Sequence, residues 1–459
     1  MQTTPAPARQ IVQTRLWRAM AALLVAAILL GGKAAGGALR ELVIQLLAVG
    51  VAVLVVPAFT GRLSSLERPA FWLILAMLVL FVLHLVPLPY GIWAAVHPVE
   101  TADVVLRGLG MDRDWRPFTL VPHEGLDNLL LLLPPIAAYF AALRLNERYQ
   151  AYLIVTIVSL AALSALLGFL QFASGTEALR FHTEFHQGYA IGFFANRNHQ
   201  ADLLLIGWLL SAGLLRSRFA SDLGIGTGTR RILFWALSLF FLLAVLATGS
   251  RGGFLLAGFA GLAILLSGGI KEKSKALSGL AVGGIAATIL FAVTTLTNNR
   301  LLGATVSRFE ADDDARFGIW PETVRMIGDT MPLGSGVGSF VDYYKFAEPL
   351  ENVGRKFVNA AHNDYLEILL ETGVPGLALL LTGLVILALG AHRTIRGPVG
   401  IAGGANEIRV MAVFAIIVLL AHSAIDYPLR TTGLAVVFGA LCGLILREHD
   451  NSTVRRRAG

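Results

Sequence analysis

The stretch His362-Asn363-Asp364-Tyr365-Leu366-Glu367-Ile368-Leu369-Leu370-Glu371-Thr372-Gly373-Val374-Pro375-Gly376 places an imidazole and three carboxyl groups at the mouth of an apolar run. Charged side chains cost kilocalories in hydrocarbon, so a cluster of them at a helix entrance points to a site. Asp364, Glu367 and Glu371 fall at offsets 0, 3 and 7 and share one helix face, with His362 just upstream. A neutral His near pH 7 can take a proton from an attacking hydroxyl, and a nearby carboxylate can orient it. His362, Glu367 and Asp364 are therefore candidate catalytic residues. The same residues permit a structural reading. Asp364-x-x-Glu367 has the form of a capping box, and Gly373 followed by Pro375 that of a stop, which together build a short helix ahead of the main span.

Arginines on the same side of the chain are the second set. Arg251 lies in Thr248-Gly249-Ser250-Arg251-Gly252-Gly253, a tight turn between two apolar runs where small residues allow close backbone approach. Arg197 lies in Asn196-Arg197-Asn198-His199, at another helix entrance. Arg300, Arg308, Arg316, Arg325 and Arg355 lie on the long link before His362. Guanidinium suits forked recognition of phosphate. Snorkelling to lipid headgroups is the alternative for any one of them.

Other polar positions say less. His422 and Asp426 are four apart and can pair, for packing or for proton relay. His182 and His186 are also four apart, with no acidic motif to make a zinc helix. His84 reads as an interface or core histidine. Gly334-x-Gly336-x-Gly338 follows no strand and reads as a loop. No P-loop, dinucleotide fingerprint or serine elbow is present. No metal site and no cofactor are expected. The one cysteine, Cys442, rules out a disulfide framework within one chain.

The elements that must position these groups are membrane helices. Of 459 residues 56% are hydrophobic and 15% charged, and the mean hydropathy is +0.69. A soluble domain carries about 25% charged residues. Apolar runs at 19–34, 40–58, 70–88, 126–144, 150–172, 199–216, 231–248, 252–269, 275–297, 364–392, 408–425 and 431–447 each approach the roughly 20 residues that cross a bilayer. The expectation is an all-α integral membrane protein of about twelve transmembrane helices, one polytopic domain over 1–459. The first run has no small-residue cleavage site and reads as a retained span.

The net charge of +7 is not a nucleic-acid signature, because Lys and Arg cluster in alternate links. Those links hold Arg62 and Arg68, Arg144 and Arg148, Arg216 to Arg231, Lys271 to Lys275, and Arg393 to Arg409. By the positive-inside rule both termini face the cytoplasm. Links 89–125, 173–198 and 298–363 then face outside. In the last, Phe317, Trp320, Val324 and Ile327 have helical period, which predicts an amphipathic helix on the bilayer surface or capping the bundle.

Taken in order, Asn196-Arg197-Asn198-His199, Thr248-Gly249-Ser250-Arg251-Gly252, Arg316-x-x-x-Trp320 with Pro332-Leu333-Gly334-x-Gly336-x-Gly338, and His362-Asn363-x-Tyr365-Leu366-x-x-x-x-Glu371-x-Gly373-x-x-Gly376 resemble the bacterial O-antigen ligase and O-antigen polymerase family over roughly 190–380. The resemblance implies a metal-independent glycosyltransferase of the inner membrane, active on its periplasmic face. Its donor would be an undecaprenyl-pyrophosphate-linked glycan and its acceptor a glycan or lipid A-core. It implies His362 as the essential histidine, and Arg251 and Arg316 as the essential arginines, with Arg308 close to the second. Arg197 joins them as a pyrophosphate candidate from the residues alone.

Glycan ligation in lipopolysaccharide biosynthesis is the first reading. Polymerisation of O-antigen or exopolysaccharide and transfer to protein hydroxyls use the same donor chemistry. A lipid-linked glycan transporter or flippase is the reading of another class. It needs charges deep in several spans, whereas here the polar groups gather at span ends.

Overall fold

The computed structural model of the protein describes residues 6–33, 37–58, 63–97, 107–111, 114–174, 179–182, 188–267, 316–350, 358–397 and 406–448. Among these the chain is helical: α1 (Ala6–Leu30), α2 (Ala38–Val55), α3 (Glu67–Leu85), α4 (Tyr90–Val96), α5 (Pro122–Leu131), α6 (Leu133–Arg144), α7 (Glu147–Ser174) and α8 (Arg197–Arg216) come first. The second half supplies α9 (Arg218–Asp222), α10 (Thr227–Ala247), α11 (Arg251–Leu266), α12 (Arg316–Thr330), α13 (Phe340–Ala347), α14 (Asp364–Arg396), α15 (Asn406–His422) and α16 (Thr432–Leu446). A two-residue antiparallel ladder joins Pro87–Leu88 to Arg116–Pro117.

Among the described residues seven helical spans are long and apolar enough to cross a membrane, α5 and α6 together forming one of them, and α11 and α16 are shorter apolar helices. The other expected spans also fall on helices, except 275–297, which lies outside the described residues. The helix α8 is absent from the seven because its first turns carry Arg197, Asn198, His199, Gln200 and Asp202. It tolerates them because it is the central helix, buried along nearly its whole length between α7, α10, α11 and α15. Polar groups inside a bundle can find protein partners that lipid cannot supply. Among the described helices α16 packs most extensively on α6, where a Cβ on Gly439 would stand 2.2 Å from the Pro135 carbonyl oxygen. Small residues permit such approach.

The break forecast at Gly373 is present. Gly373 has φ 56° and ψ −148°, which splits α14 into a short first segment and a long span. A break strands backbone groups, and at membrane depth these must be satisfied. The loop Pro332–Gly338 satisfies them. Ser335 N donates to Leu370 O at 2.8 Å, Gly336 N to Glu371 O at 2.9 Å, and Val374 N to Pro332 O at 2.8 Å. His84 joins in as an acceptor, its Nδ1 3.1 Å from Val337 N.

Two local expectations need correction. The first segment of α14 is capped by Asn363, whose side chain accepts from Tyr365 N and Leu366 N, and not by Asp364. The amphipathic helix exists as α12, but its buried face is Ile319, Thr323, Met326 and Ile327, and Val324 is exposed. The face is rotated because α12 packs on α14 and α13, in a cluster with Phe340, Tyr344 and Leu370. Trp320 Nε1 donates to Ala361 O at 3.0 Å, pinning α12 beside His362.

Candidate active site

His362 stands one residue before the Asn363 cap, with φ 51°. A left-handed conformation at a non-glycine residue is uncommon, although His is among the types enriched there, and such strain gathers at functional sites. Its Nδ1 lies 3.0 Å from Asp426 Oδ1; the His side chain keeps 28% exposure and the Asp none. A carboxylate on Nδ1 fixes the N–H there, which leaves the Nε2 lone pair to accept a proton.

Asp426 is the hub of the site. Its Oδ2 accepts from Asn198 Nδ2 at 2.6 Å and from Asn196 Nδ2 at 3.2 Å. Asn198 Oδ1 in turn accepts from Ser250 Oγ at 2.7 Å. Three separate sequence motifs thus converge on one buried carboxylate. Burial pushes that carboxyl up, but the hydrogen bond from His362 and the imidazoles of His199, His362 and His422 outweigh it. The group is held well below the usual carboxylate range. The Tyr427 ring stands 4.9 Å from the His362 ring and 5.0 Å from His199, walling the pair. Burial pushes the Tyr427 hydroxyl up, so it stays protonated.

Asp364 and Glu367 do not meet the imidazole. With Glu371 they meet Arg430: Nη1 is 2.9 Å from Glu367 Oε1, Nη2 is 3.1 Å from Glu371 Oε2, and Nε is 3.8 Å from Asp364 Oδ1. The shared face is real, and its partner is a cation. Burial lowers the Arg430 pKa, but Glu367, Glu371 and Asp364 raise it further, so the guanidinium stays charged. The His422 imidazole acts electrostatically on Asp426, but its Nδ1 hydrogen-bonds another acid. His422 Nδ1 lies 2.5 Å from Asp202 Oδ1, one layer deeper.

The arginines divide. Arg251 follows Ser250, whose side chain caps α11 by accepting from Gly253 N at 2.9 Å. Arg197 follows Asn196, which caps α8 in the same way through Asn198 N. Each arginine therefore opens a helix, and the Ser250–Asn198 bond holds the two helix starts together. Helix N-termini favour anions. The Arg197 guanidinium lies 4.7 Å above the Tyr189 ring. Arg316 opens α12, one turn before Trp320, and Arg308 lies outside the described residues. The described residues hold no cluster of three or more His, Cys, Asp or Glu able to bind a metal.

Asp426 as the partner of His362, and Arg430 as the partner of the acids, were missed. The sequence carried one signal for both. Asp426-Tyr427-Pro428-Leu429-Arg430 puts two charges in a short link between apolar runs, the criterion already applied to His362.

A helical, membrane-type bundle with a His–Asp pair at the end of its helices defines a class: an integral membrane protein with a polar site at a span terminus. The family model of O-antigen ligase matches residues 236–381, from within α10 into α14. That match supports the O-antigen ligase family for this chain, and with it a ligase- or polymerase-type function in glycan biosynthesis. No curated protein matches the chain.

Proposed function

We propose that the protein transfers a glycan from a polyprenyl-diphosphate carrier to an acceptor hydroxyl at the periplasmic face of a bacterial inner membrane. In this reading the acceptor O–H gives its proton to His362 Nε2. The acceptor oxygen bonds the anomeric carbon as the bond from that carbon to phosphate oxygen breaks. The diphosphate leaves with the bonding electrons, and a single displacement inverts the anomeric centre. Asp426 orients His362 and stabilises the imidazolium that forms. Arg251, Arg197 and Arg316 are assigned to the departing diphosphate, whose growing charge fixed guanidinium groups and helix N-termini stabilise without a metal ion. Asp364 and Glu367 build the helix that follows His362.

The observation that carries this reading is the 3.0 Å His362–Asp426 contact, joined through Asn198 and Ser250 to the two arginine-led helix starts. A cleft of about 460 Å³ runs among α3, α6, α14 and α16, lined by Leu73, Phe81, Leu384 and Phe438, with Arg430, Asp364 and Glu371 among its polar lining. Such a cleft suits a lipid hydrocarbon chain. The polar residues gather at the starts of α8, α11 and α14, while Arg216, Arg393 and Arg396 sit at the ends of α8 and α14. By the charge bias that far end is cytoplasmic. The twelve-span topology with both termini inside belongs to the same proposal.

The test is reconstitution of the protein in lipid nanodiscs with a polyprenyl-diphosphate-linked glycan and candidate acceptors: glycan, lipid A-core and peptide. Transfer that His362→Ala abolishes supports the proposal. Full transfer by a well-folded His362→Ala variant overturns the assignment of the base.

A further inference from the structure

We infer that Arg430 is the positioning residue that sets the His362–Asp426 contact, clamping both members through one guanidinium. The kinetic part of this inference rests on the glycan-transfer reading; the geometric part does not.

Asp426 sits on the link between α15 and α16, and that link is tied to the start of α14 on both sides of it. Upstream, Asp364 N donates to Ser423 O at 2.9 Å, Ser423 Oγ to Asp364 Oδ2 at 2.7 Å, and Asn363 Nδ2 to Ala424 O at 2.9 Å. Downstream, the tie is Arg430, four residues after Asp426, with its three carboxylates at 2.9, 3.1 and 3.8 Å.

The clamp also reaches the histidine. Glu367 accepts from Arg430 at Oε1 and, at Oε2, from the N–H of Ala361, the residue before His362, at 2.9 Å. Glu371 accepts from Arg430 at Oε2 and from Phe340 N at Oε1, the latter at 3.2 Å. A closed circuit results: Asp426, Arg430, Glu367, Ala361, His362, and back to Asp426. Fixing Ala361 helps to hold His362 at its positive φ, a conformation that persists only where the surroundings over-determine it. The planar fork of arginine can address carboxylates in several directions at once, which the point charge of lysine cannot. All three acids are buried, and removing the cation they share leaves them without that partner, which is strongly destabilising. Asn196 and Asn198 hold the Asp426 carboxylate itself, and Arg430 fixes the chain that follows it against the start of α14.

Arg430 also lines the apolar cleft, so direct contact with substrate is the rival role. The experiment uses the full chain in nanodiscs and compares Arg430→Lys, Arg430→Met and the charge-reduced double variant Arg430→Met with Glu367→Gln. The first readout is the ring-nitrogen NMR of histidine-labelled protein, with His362 assigned through His362→Ala. The wild type is expected to show one tautomer, protonated at Nδ1. Arg430→Lys is expected to mix the tautomers while thermal unfolding stays near wild type. The second readout is kinetic. Turnover is expected to fall on the order of 100-fold, the cost of a misplacement near 1 Å, with both KM values unchanged. Added to Asp426→Asn, the lysine variant is expected to cost nothing more.

An unchanged His362 tautomer in Arg430→Lys overturns the inference. So does a change confined to KM, which indicates substrate contact, or losses that multiply in the double variant, which indicate an independent role. If Arg430→Met does not fold, the lysine and charge-reduced variants decide. If the wild type transfers no glycan, the function reading fails and the tautomer still tests the clamp.

Discussion

His362 Nδ1 and Asp426 Oδ1 lie 3.0 Å apart across 64 residues of sequence, one at the start of α14 and the other in the link after α15. Neither local sequence predicts this contact. It exists because α14, α15 and α16 pack together and because the link folds over the first turn of α14.

Asp426→Asn is the substitution that keeps the shape and changes the tautomer. Turnover is expected to fall by about 10²–10⁴-fold, the range for losing effective general base catalysis, with the protein still folded. Steady-state kinetics on the reconstituted enzyme check it. Its carboxyl is held below the ordinary value of about 3.9. Its stabilising contribution is therefore present above that pH and lost only as the pH falls through the lower folded-state value.

Lysine in place of Arg251, Arg197 or Arg316 is expected to lower turnover more than it raises KM, if these groups grip the diphosphate most tightly as it leaves. Arg325→Lys is the control. Arg325 is half exposed and bonds Glu322 at 2.9 Å and Asp329 at 3.4 Å on its own helix. Near-normal activity in all four variants would remove the diphosphate assignment.

Gly373→Ala is expected to destabilise the protein. The positive φ costs a non-glycine residue about 1–3 kcal/mol, and the added Cβ would meet Pro332 O at 2.2 Å. A lower unfolding temperature, with less protection of the Ser335 and Gly336 amides from exchange, is the measurement. An unchanged melting curve would show that the loop yields without cost.

Orientation is open to side-specific labelling. A cysteine at position 273 should react from the cytoplasmic side and one at position 316 from the outside, while native Cys442 is buried and silent. Labelling of both positions from outside would overturn the proposed topology.

Apolar runs of span length, the break at Gly373, the turn holding Arg251 and the existence of α12 were all legible in the sequence. Each depends on local properties: hydropathy, glycine's access to positive φ, proline's missing donor, and helical period. The face of α12 was not legible, because its apolar period supports more than one stripe and only contact with Phe340 and Leu370 selects among them. Asp364, Glu367 and Glu371 do share the face their spacing implies, but it meets Arg430 and not His362.

By itself, then, the sequence determined a helical membrane protein with an imidazole, three acids and arginines at the ends of its apolar runs, since bilayer length and the cost of buried charge act residue by residue. Tertiary structure alone decided who meets whom: Asp426 with His362, Arg430 with the acids, Asp202 with His422, and Ser250 with Asn198. Pairing of buried polar groups is a property of the packed bundle. Any of several carboxylates can serve a given imidazole until helix contacts fix which one lies within hydrogen-bonding reach.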